Sequence, residues 1–242
     1  MPKKISRPII GIDVGGTKIV GVLWNGKKVL KTAKIETPKN LKDFKIAILK
    51  LVNLLSLAKA DILVGVGCAG IIKGKKVVKS PNIPFLKNFN FSLISKDVKI
   101  EKLENDAKCF ALAEYMALSH KKTSVFFITI GTGLGRAVAK KGKILNIKKF
   151  EYPEKWEKEY QKIRDSSDNQ KLSEFIAKKI TKLAKPYNPE TIVAGGGLLG
   201  KKGFFSALKK EFSIPLKKSV FKNSAAIGAA IMCKPTKNVI IY

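Results

Sequence analysis

Histidine is nearly missing from this chain, with His120 the single example among 242 residues. That excludes multi-histidine metal centres and speaks against a Ser-His-Asp triad. Ser119-His120-Lys121-Lys122 reads as surface beside a helix end. Cysteine is sparse as well. Cys68, Cys109 and Cys233 stand far apart without a C-x-x-C pair, so neither a disulfide framework nor a thiolate zinc site is indicated, and buried inert thiols are expected. No stretch reaches the roughly 18 to 20 apolar residues of a membrane-spanning helix, and the opening Met1 to Arg7 lacks the apolar segment of a signal peptide, which predicts a cytoplasmic protein. Acidic residues are few, 18 against 48 basic ones, for a net charge of +30. Arginine is scarcer still: only Arg7, Arg136 and Arg164. Nucleic-acid readers lean on arginine for bidentate contacts, so lysine spread along the chain is weak evidence for specific binding. A compositional bias of the source proteome and a functional basic surface both fit, and either predicts nonspecific attraction of polyanions.

What the chain does have is a glycine turn written twice in one setting. Ile9 to Asp13 is an apolar run ending in a carboxylate, followed by Val14-Gly15-Gly16-Thr17-Lys18, a returning run Ile19 to Leu23, and Trp24-Asn25-Gly26-Lys27-Lys28-Val29-Leu30. The second copy runs Val125 to Ile130, Gly131-Thr132-Gly133-Leu134-Gly135, Ala137 to Ala139, then Lys140-Lys141-Gly142-Lys143-Ile144-Leu145. Each reads as strand, glycine turn, strand, second turn, strand. Bare amides in such a turn can point their N–H dipoles at an anion, where side chains would hold the backbone away. Alone, either run could be an ordinary hairpin connection. Duplication, with Asp13, Thr17, Lys18 and Thr132 attached, favours a phosphate clamp and two lobes.

Between and beyond the copies, the pattern alternates. Asp43 to Lys59 carries an apolar helical face, and Asp61 to Gly67 is a short branched run that reads as a buried strand leading to Cys68-Ala69-Gly70. Ser80-Pro81-Asn82-Ile83-Pro84 is turn-rich, and Val98 to Leu103 is a strand ending in Glu104-Asn105-Asp106. A helix follows from about Ala107 to Ala117, for which Asn105 or Asp106 makes a suitable N-cap. Residues 151 to 170 are charged and weakly periodic, hence irregular or partly helical. Leu172 to Ala184 is amphipathic, Pro189 to Ala194 enters a third glycine turn at Gly195-Gly196-Gly197, and Ser206 to Phe212 and Ser224 to Met232 supply two more helices. A strand ending at a glycine turn is where open α/β sheets bind ligands.

Asp13-x-Gly15-Gly16-Thr17-Lys18, Pro81-Asn82-Ile83, Glu104-Asn105-Asp106-Ala107, Gly131-Thr132-Gly133-x-Gly135, Gly195-Gly196-Gly197 and Ser224-Ala225-Ala226-Ile227-Gly228-Ala229-Ala230 occur in one order from Ile9 to Met232. Together they resemble the ROK family of sugar kinases, and the short chain looks most like its compact polyphosphate- or ATP-dependent glucokinase branch. The cysteine-rich zinc motif of many members is absent. The resemblance implies an α/β, two-lobed actin-like ATPase (ribonuclease H-like) duplication with an interlobe cleft, divided into an N-terminal lobe 1–106 and a C-terminal lobe 107–242. It implies Asp106 as general base, with Asn82, Asn105 and Gly70 on the sugar. Asp13 would hold Mg²⁺ through water, and Gly15, Gly16, Thr17, Lys18, Gly131, Thr132 and Gly133 would meet the transferred phosphoryl group. Gly195 and Gly196 would face the nucleotide if the donor is ATP. Homodimerisation comes from the resemblance alone.

The departure is as informative as the match. Where the family places a Glu-x-Gly-His type segment that grips the sugar, this chain has Asn146-Ile147-Lys148-Lys149-Phe150-Glu151-Tyr152. Lysine stands where the glutamate belongs and Glu151 falls near the histidine position, so Glu151 and Glu154 become the candidate substitutes and glucose specificity does not carry over. The expectation is a kinase acting on a hexose or amino sugar with ATP or polyphosphate. The alternatives are a catalytically impaired sugar- or nucleotide-binding regulatory protein and, on charge alone, a nucleic-acid-binding protein.

Overall fold

The computed structural model describes residues 8–56, 62–96, 98–118, 124–233 and 240–241. His120, the first seven residues, Asp61 and the stretch to Lys59 beyond the first helix lie wholly or partly outside these. The chain begins with β1 (Ile9–Val14), β2 (Lys18–Trp24) and β3 (Val29–Glu36), an antiparallel meander. Helix α1 (Leu41–Leu55) starts where the Asn40 side chain accepts the Asp43 N–H at 2.9 Å, and its buried face is Phe44, Ala47, Ile48, Leu51, Val52 and Leu55, one residue per helical turn and its neighbour. Strand β4 (Val64–Cys68) returns parallel to β1. A small antiparallel sheet, β5 (Ile71–Lys73), β6 (Lys76–Lys79) and β7 (Phe89–Asn90), branches off before β8 (Ile100–Asn105), which is parallel to β4. Neither that small sheet nor its role was legible in the residue pattern.

Helix α2 (Asp106–Ala117) follows β8 without a linker. The second half repeats the plan: β9 (Val125–Ile130), β10 (Leu134–Lys140) and β11 (Lys143–Ile144) form a meander. The charged stretch contains α3 (Glu157–Asp165), after which come α4 (Asn169–Ala184), β12 (Thr191–Gly195), α5 (Phe204–Glu211), β13 (Leu216–Lys218), α6 (Ser224–Ile231) and β14 (Ile240–Ile241). The sheet orders are β3-β2-β1-β4-β8 and β13-β12-β9-β10-β11-β14. Setting β14 aside, these are one topology used twice, as the duplicated turn predicts.

The layers alternate helix and sheet. The first sheet packs one face on α1 and the small sheet, and the second packs one face on α3, α4 and α5. Between the sheets lie α2 and α6, packed on each other, with α6 against β1 and β4 and α2 against β9 and β10. This close approach needs bare backbone: a β carbon at Gly11 or Gly65 would collide with α6 carbonyls, and one at Gly228 with the Cys109 carbonyl of α2. Cys68 and Cys109 are buried, Cys233 is half-buried, and all three are free. Burial pushes the Cys68 and Cys109 thiols well up and Cys233 to about 12, so none is a ready nucleophile. No helix among the described residues is long and apolar enough to cross a membrane.

Candidate active site

The parallel strands set the site. Asp13 on β1 pairs with Gly67 on β4, Gly67 with Glu104 on β8, and Cys68 with Asn105, so three strand ends finish level with the first glycine turn. In the second sheet Thr129 on β9, two residues before Gly131, stands opposite Gly195 on β12. Both sets of ends open on one cleft, a cavity of about 590 Å³ lined by Gly15, Gly16, Gly70, Asn82, Asn105, Asp106, the run Thr129 to Arg136, the segment Phe150 to Lys158 apart from Trp156, and Gly196. A larger cavity of about 980 Å³, floored by Ile71, Ile72, Leu103, Leu112, Ile231 and Met232, touches neither glycine turn nor Asp106. Chemistry rather than volume therefore locates the site.

Asn82 joins the two turns. A β carbon on Gly16 would lie 2.9 Å from the Asn82 β carbon, and one on Gly133 would lie 3.9 Å from its Nδ2. Asp106 opens α2, where a carboxylate is favoured by the free N–H groups of the first turn. The helix cap itself is Asn105, whose Oδ1 accepts the Ala107 N–H at 3.0 Å and whose Nδ2 donates to the Gly70 carbonyl at 3.0 Å. Gly70 holds φ +135° under the Lys79 carbonyl, a position that a side chain would block.

The carboxyls of Asp13 and Asp106 both have pKa values raised toward the neutral range. Burial, then the Asp106 charge, lifts the Asp13 pKa to about 7 against the opposing pull of Lys18. Burial lifts Asp106 to about 6, opposed by the N–H groups of Ala107 and Asp106 itself. A pair of carboxylates poised this way suits an acid/base site.

Not every expected residue reaches the cleft. Thr17 opens on the neighbouring groove with Thr37, Pro38 and Phe85, and Lys18 is exposed. Gly195 packs against the Phe110 ring, so close helix-to-sheet contact explains this glycine, whereas Gly196, at φ +99° against the Ile130 backbone, lines the cleft. Glu151 lines the cleft, but both its oxygens are engaged: Oε1 by Lys108 Nζ at 2.5 Å and Lys148 Nζ at 3.1 Å, Oε2 by the Ile72 N–H at 3.1 Å. Asn105 is likewise spent on the backbone. Glu154 lines the cleft, and its N–H donates to Glu157 Oε1 at 3.1 Å.

Other contributors escaped the sequence reading. Arg136, 3% exposed, donates through Nη2 to the Tyr152 carbonyl at 2.9 Å and the Phe150 carbonyl at 3.4 Å, and its Nη1 lies 3.1 Å from Glu157 Oε1. The Tyr160 hydroxyl donates to the Gly131 carbonyl at 2.7 Å, and Arg164 Nη1 to the Thr132 carbonyl at 2.5 Å. The available signal was scarcity: two of the chain's three arginines flank the second glycine turn, one directly after it in sequence and one across it in space.

Residues 9–147 match the model of the ROK family. The chain belongs to the ROK family. It is 33% identical over 134 residues to a glucokinase of Streptomyces coelicolor, covering 53% of this chain and 42% of that protein. An N-acetylmannosamine kinase of Shigella flexneri is 34% identical over 149 residues, 57% of this chain and 49% of that protein. The chain thus spans about half the length of the curated relatives it matches. Among solved structures, the inorganic polyphosphate/ATP-glucomannokinase of Arthrobacter sp. strain KM superposes with a TM-score of 0.78 at 26% identity, over 94% of this chain and 98% of that one. The duplicated α/β architecture is the actin-like ATPase fold of these ROK proteins.

Proposed function

We propose that this protein is a sugar kinase that transfers a phosphoryl group from ATP, or from polyphosphate, to a hydroxyl of a hexose or amino sugar. The observation that carries the reading is the meeting of two glycine turns, one from each half, across Asn82 in a cleft that also holds Asp106 at a helix start. The relatives and the Arthrobacter structure, named for sugar phosphorylation, support it. Halves 1–106 and 107–242 then act as the lobes, with α6 crossing back to brace the first sheet.

Phosphoryl transfer asks for a donor held in line, its charge neutralised, and an acceptor for the hydroxyl proton. The amides of Gly15, Gly16, Gly131, Thr132 and Gly133 are the donor cradle, with Thr17 and Lys18 at its edge and Gly196 toward a nucleotide. Asp106 takes the hydroxyl proton as the oxygen bonds to phosphorus and the bridging P–O bond breaks. Asn82 orients the acceptor beside it, and Gly70 and Asn105 shape the floor. No cluster of three or more His, Cys, Asp or Glu side chains stands ready for a metal ion among the described residues. One carboxylate of intermediate exposure, Asp13, beside a phosphate cradle is the donor set that Mg²⁺ accepts together with phosphate oxygens and water. Bound there, Mg²⁺ would neutralise phosphate charge, and Asp13 is the residue that would hold it. A homodimer, and weak salt-sensitive attraction of polyanions by the basic surface, complete the reading.

The test is product detection from a panel of hexoses and N-acetylhexosamines with Mg²⁺ and either donor, Asp106→Asn beside the parent. Turnover of one sugar, lost in the variant, supports the kinase and names both substrates. A second reading, a sugar- or nucleotide-binding regulator that has lost catalysis, is favoured by the engaged carboxylate of Glu151. Ligand-dependent thermal stabilisation with no product across the panel would support that alternative.

A further inference from the structure

Lys108 is 4% exposed and a lysine so placed must be paired. Its three donors meet three acceptors, Glu151 Oε1 at 2.5 Å, Asn146 Oδ1 at 3.0 Å and Glu104 Oε1 at 3.4 Å. The far oxygen of Glu151 takes the Ile72 N–H, and Lys148 joins Glu151 Oε1 to the Ile72 carbonyl at 3.3 Å. Both backbone groups of one residue on β5 are therefore gripped by side chains from the second half, while Lys108 anchors the same carboxylate to α2. Phe150 to Lys158, the stretch that continues from Glu151, lines one wall of the cleft.

We infer that Lys108 and Glu151 are positioning residues: their ion pair, shared with Lys148 and hooked onto Ile72, fixes the acceptor-side wall Phe150 to Lys158 across the two halves of the molecule. A buried pair gives little net stability over apolar side chains of the same volume, because desolvation offsets the attraction. Placement is what it supplies. Asp106 makes none of these bonds, and the cap of α2 is the Asn105 side chain, which accepts the Ala107 and Lys108 N–H groups. Loss of the latch should loosen the wall and weaken acceptor binding while leaving proton removal and donor binding intact. The kinetic part of this inference rests on the kinase reading; the structural part does not.

Three variants decide it. Glu151→Gln removes the charge and keeps the shape. Lys148→Met takes a half-exposed partner whose loss leaves the fold in place. Lys108→Met combined with Glu151→Leu replaces the buried pair with apolar groups, which keeps the protein folded. Amide hydrogen exchange at Ile72 and through residues 150–158, read on the ligand-free protein, should accelerate about tenfold or more in Glu151→Gln and in the double variant, and less in Lys148→Met. In the turnover assay, the acceptor KM should rise about tenfold in those two variants, with kcat within roughly threefold and donor KM unchanged. Parental exchange and parental acceptor KM in the folded double variant would overturn the inference, as would a lowered Tm with every kinetic constant intact. If the parent itself shows no turnover on any sugar, the kinase reading fails, while the exchange rates still decide the latch.

Discussion

The two halves share one strand order, yet their glycine turns draw their further support from different places. The first, at Gly15 and Gly16, is tied by backbone and one hydroxyl: Gly15 N–H to the Lys18 carbonyl at 3.1 Å, Thr37 N–H to the Thr17 carbonyl at 3.1 Å and Thr37 Oγ1 to the Gly15 carbonyl at 2.7 Å. The second, at Gly131 to Gly135, keeps one backbone tie of its own, Gly131 N–H to the Gly133 carbonyl at 3.0 Å, and is otherwise braced from outside by Tyr160 and Arg164 of α3, while Arg136, which follows it directly, pins the cleft wall behind. One turn is held by its own sheet and the other by an added helix. The duplication thus supplies a glycine turn twice, and the segment carrying α3 braces only the second copy.

The largest effect expected lies at the junction of the halves. Asp106→Asn should cut turnover by about 10² to 10⁴, the usual contribution of a positioned base, with acceptor binding little changed. Product formation at the parental rate would remove Asp106 from the mechanism and leave the two turns as a binding clamp only.

Next comes the brace of the second half. Arg136→Met leaves Glu157 and two carbonyls without their buried cation, a loss of about 3 to 5 kcal/mol for a broken buried pair. By the usual scaling of roughly 2 to 4 °C per kcal/mol for a domain this size, Tm should fall by about 10 °C. Since the pair also touches Trp156, whose ring lies 5.9 Å from the guanidinium, emission from that tryptophan should change in the folded variant. A calorimetric scan showing less than about 2 °C of change would mean that the second turn stands without its added support, as the first does.

How much of this was legible follows the same division. The first half is written in local signals: the capped amphipathic helix, the alternating meander and the glycine turn predict their own structure, and the family match extends over residues 9–147. Order beyond the glycine turns was also readable in the periodic α4 and in the third glycine turn. Residues 151 to 170 were not, because nothing periodic marks α3, whose helix depends on burying Tyr160 under Gly131. Lys108 and Glu151 were equally opaque. A lysine inside an apolar helix looks solvated until the partner, 43 residues away, is known. Long-range ion pairs leave no local pattern, and Gly195 shows the converse, a motif residue whose bare backbone also admits the Phe110 ring.

A pH test sharpens the view of the two carboxylates, Asp13 before the first turn and Asp106 at the start of α2. The folded pKa values of Asp13 and Asp106 lie above the unfolded carboxylate value, so between about pH 4 and pH 7 the folded state binds more protons and stability falls as pH rises. Asp13→Asn removes the larger share. It should raise Tm at pH 8, by an order-of-magnitude 2 kcal/mol or roughly 4 to 8 °C, and change it little at pH 4. Melting curves that shift equally at both pH values would show that Asp13 is not held near neutrality. On the proposed kinase reading activity has the opposite slope: an Asp106 that accepts the hydroxyl proton must be ionised, and the rate should fall as pH drops below about 6.

The smallest effect is reserved for the first turn, and it bears most directly on the contrast. Thr37→Ala removes one hydroxyl bond to the Gly15 carbonyl while its backbone N–H keeps the Thr17 carbonyl. A single neutral hydrogen bond contributes about 1 kcal/mol, so Tm should drop by only about 2 to 4 °C. If the turn cradles the donor, that loss of definition should appear as a donor KM raised a few-fold at unchanged acceptor KM, the reverse of the pattern expected from the Glu151 latch. Comparable loss in Thr37→Ala and Arg136→Met would erase the distinction between a turn held by its sheet and one held by an added helix. A donor effect without a large stability effect would establish it, since the first turn would then be seen to depend on its ties for geometry and not for folding.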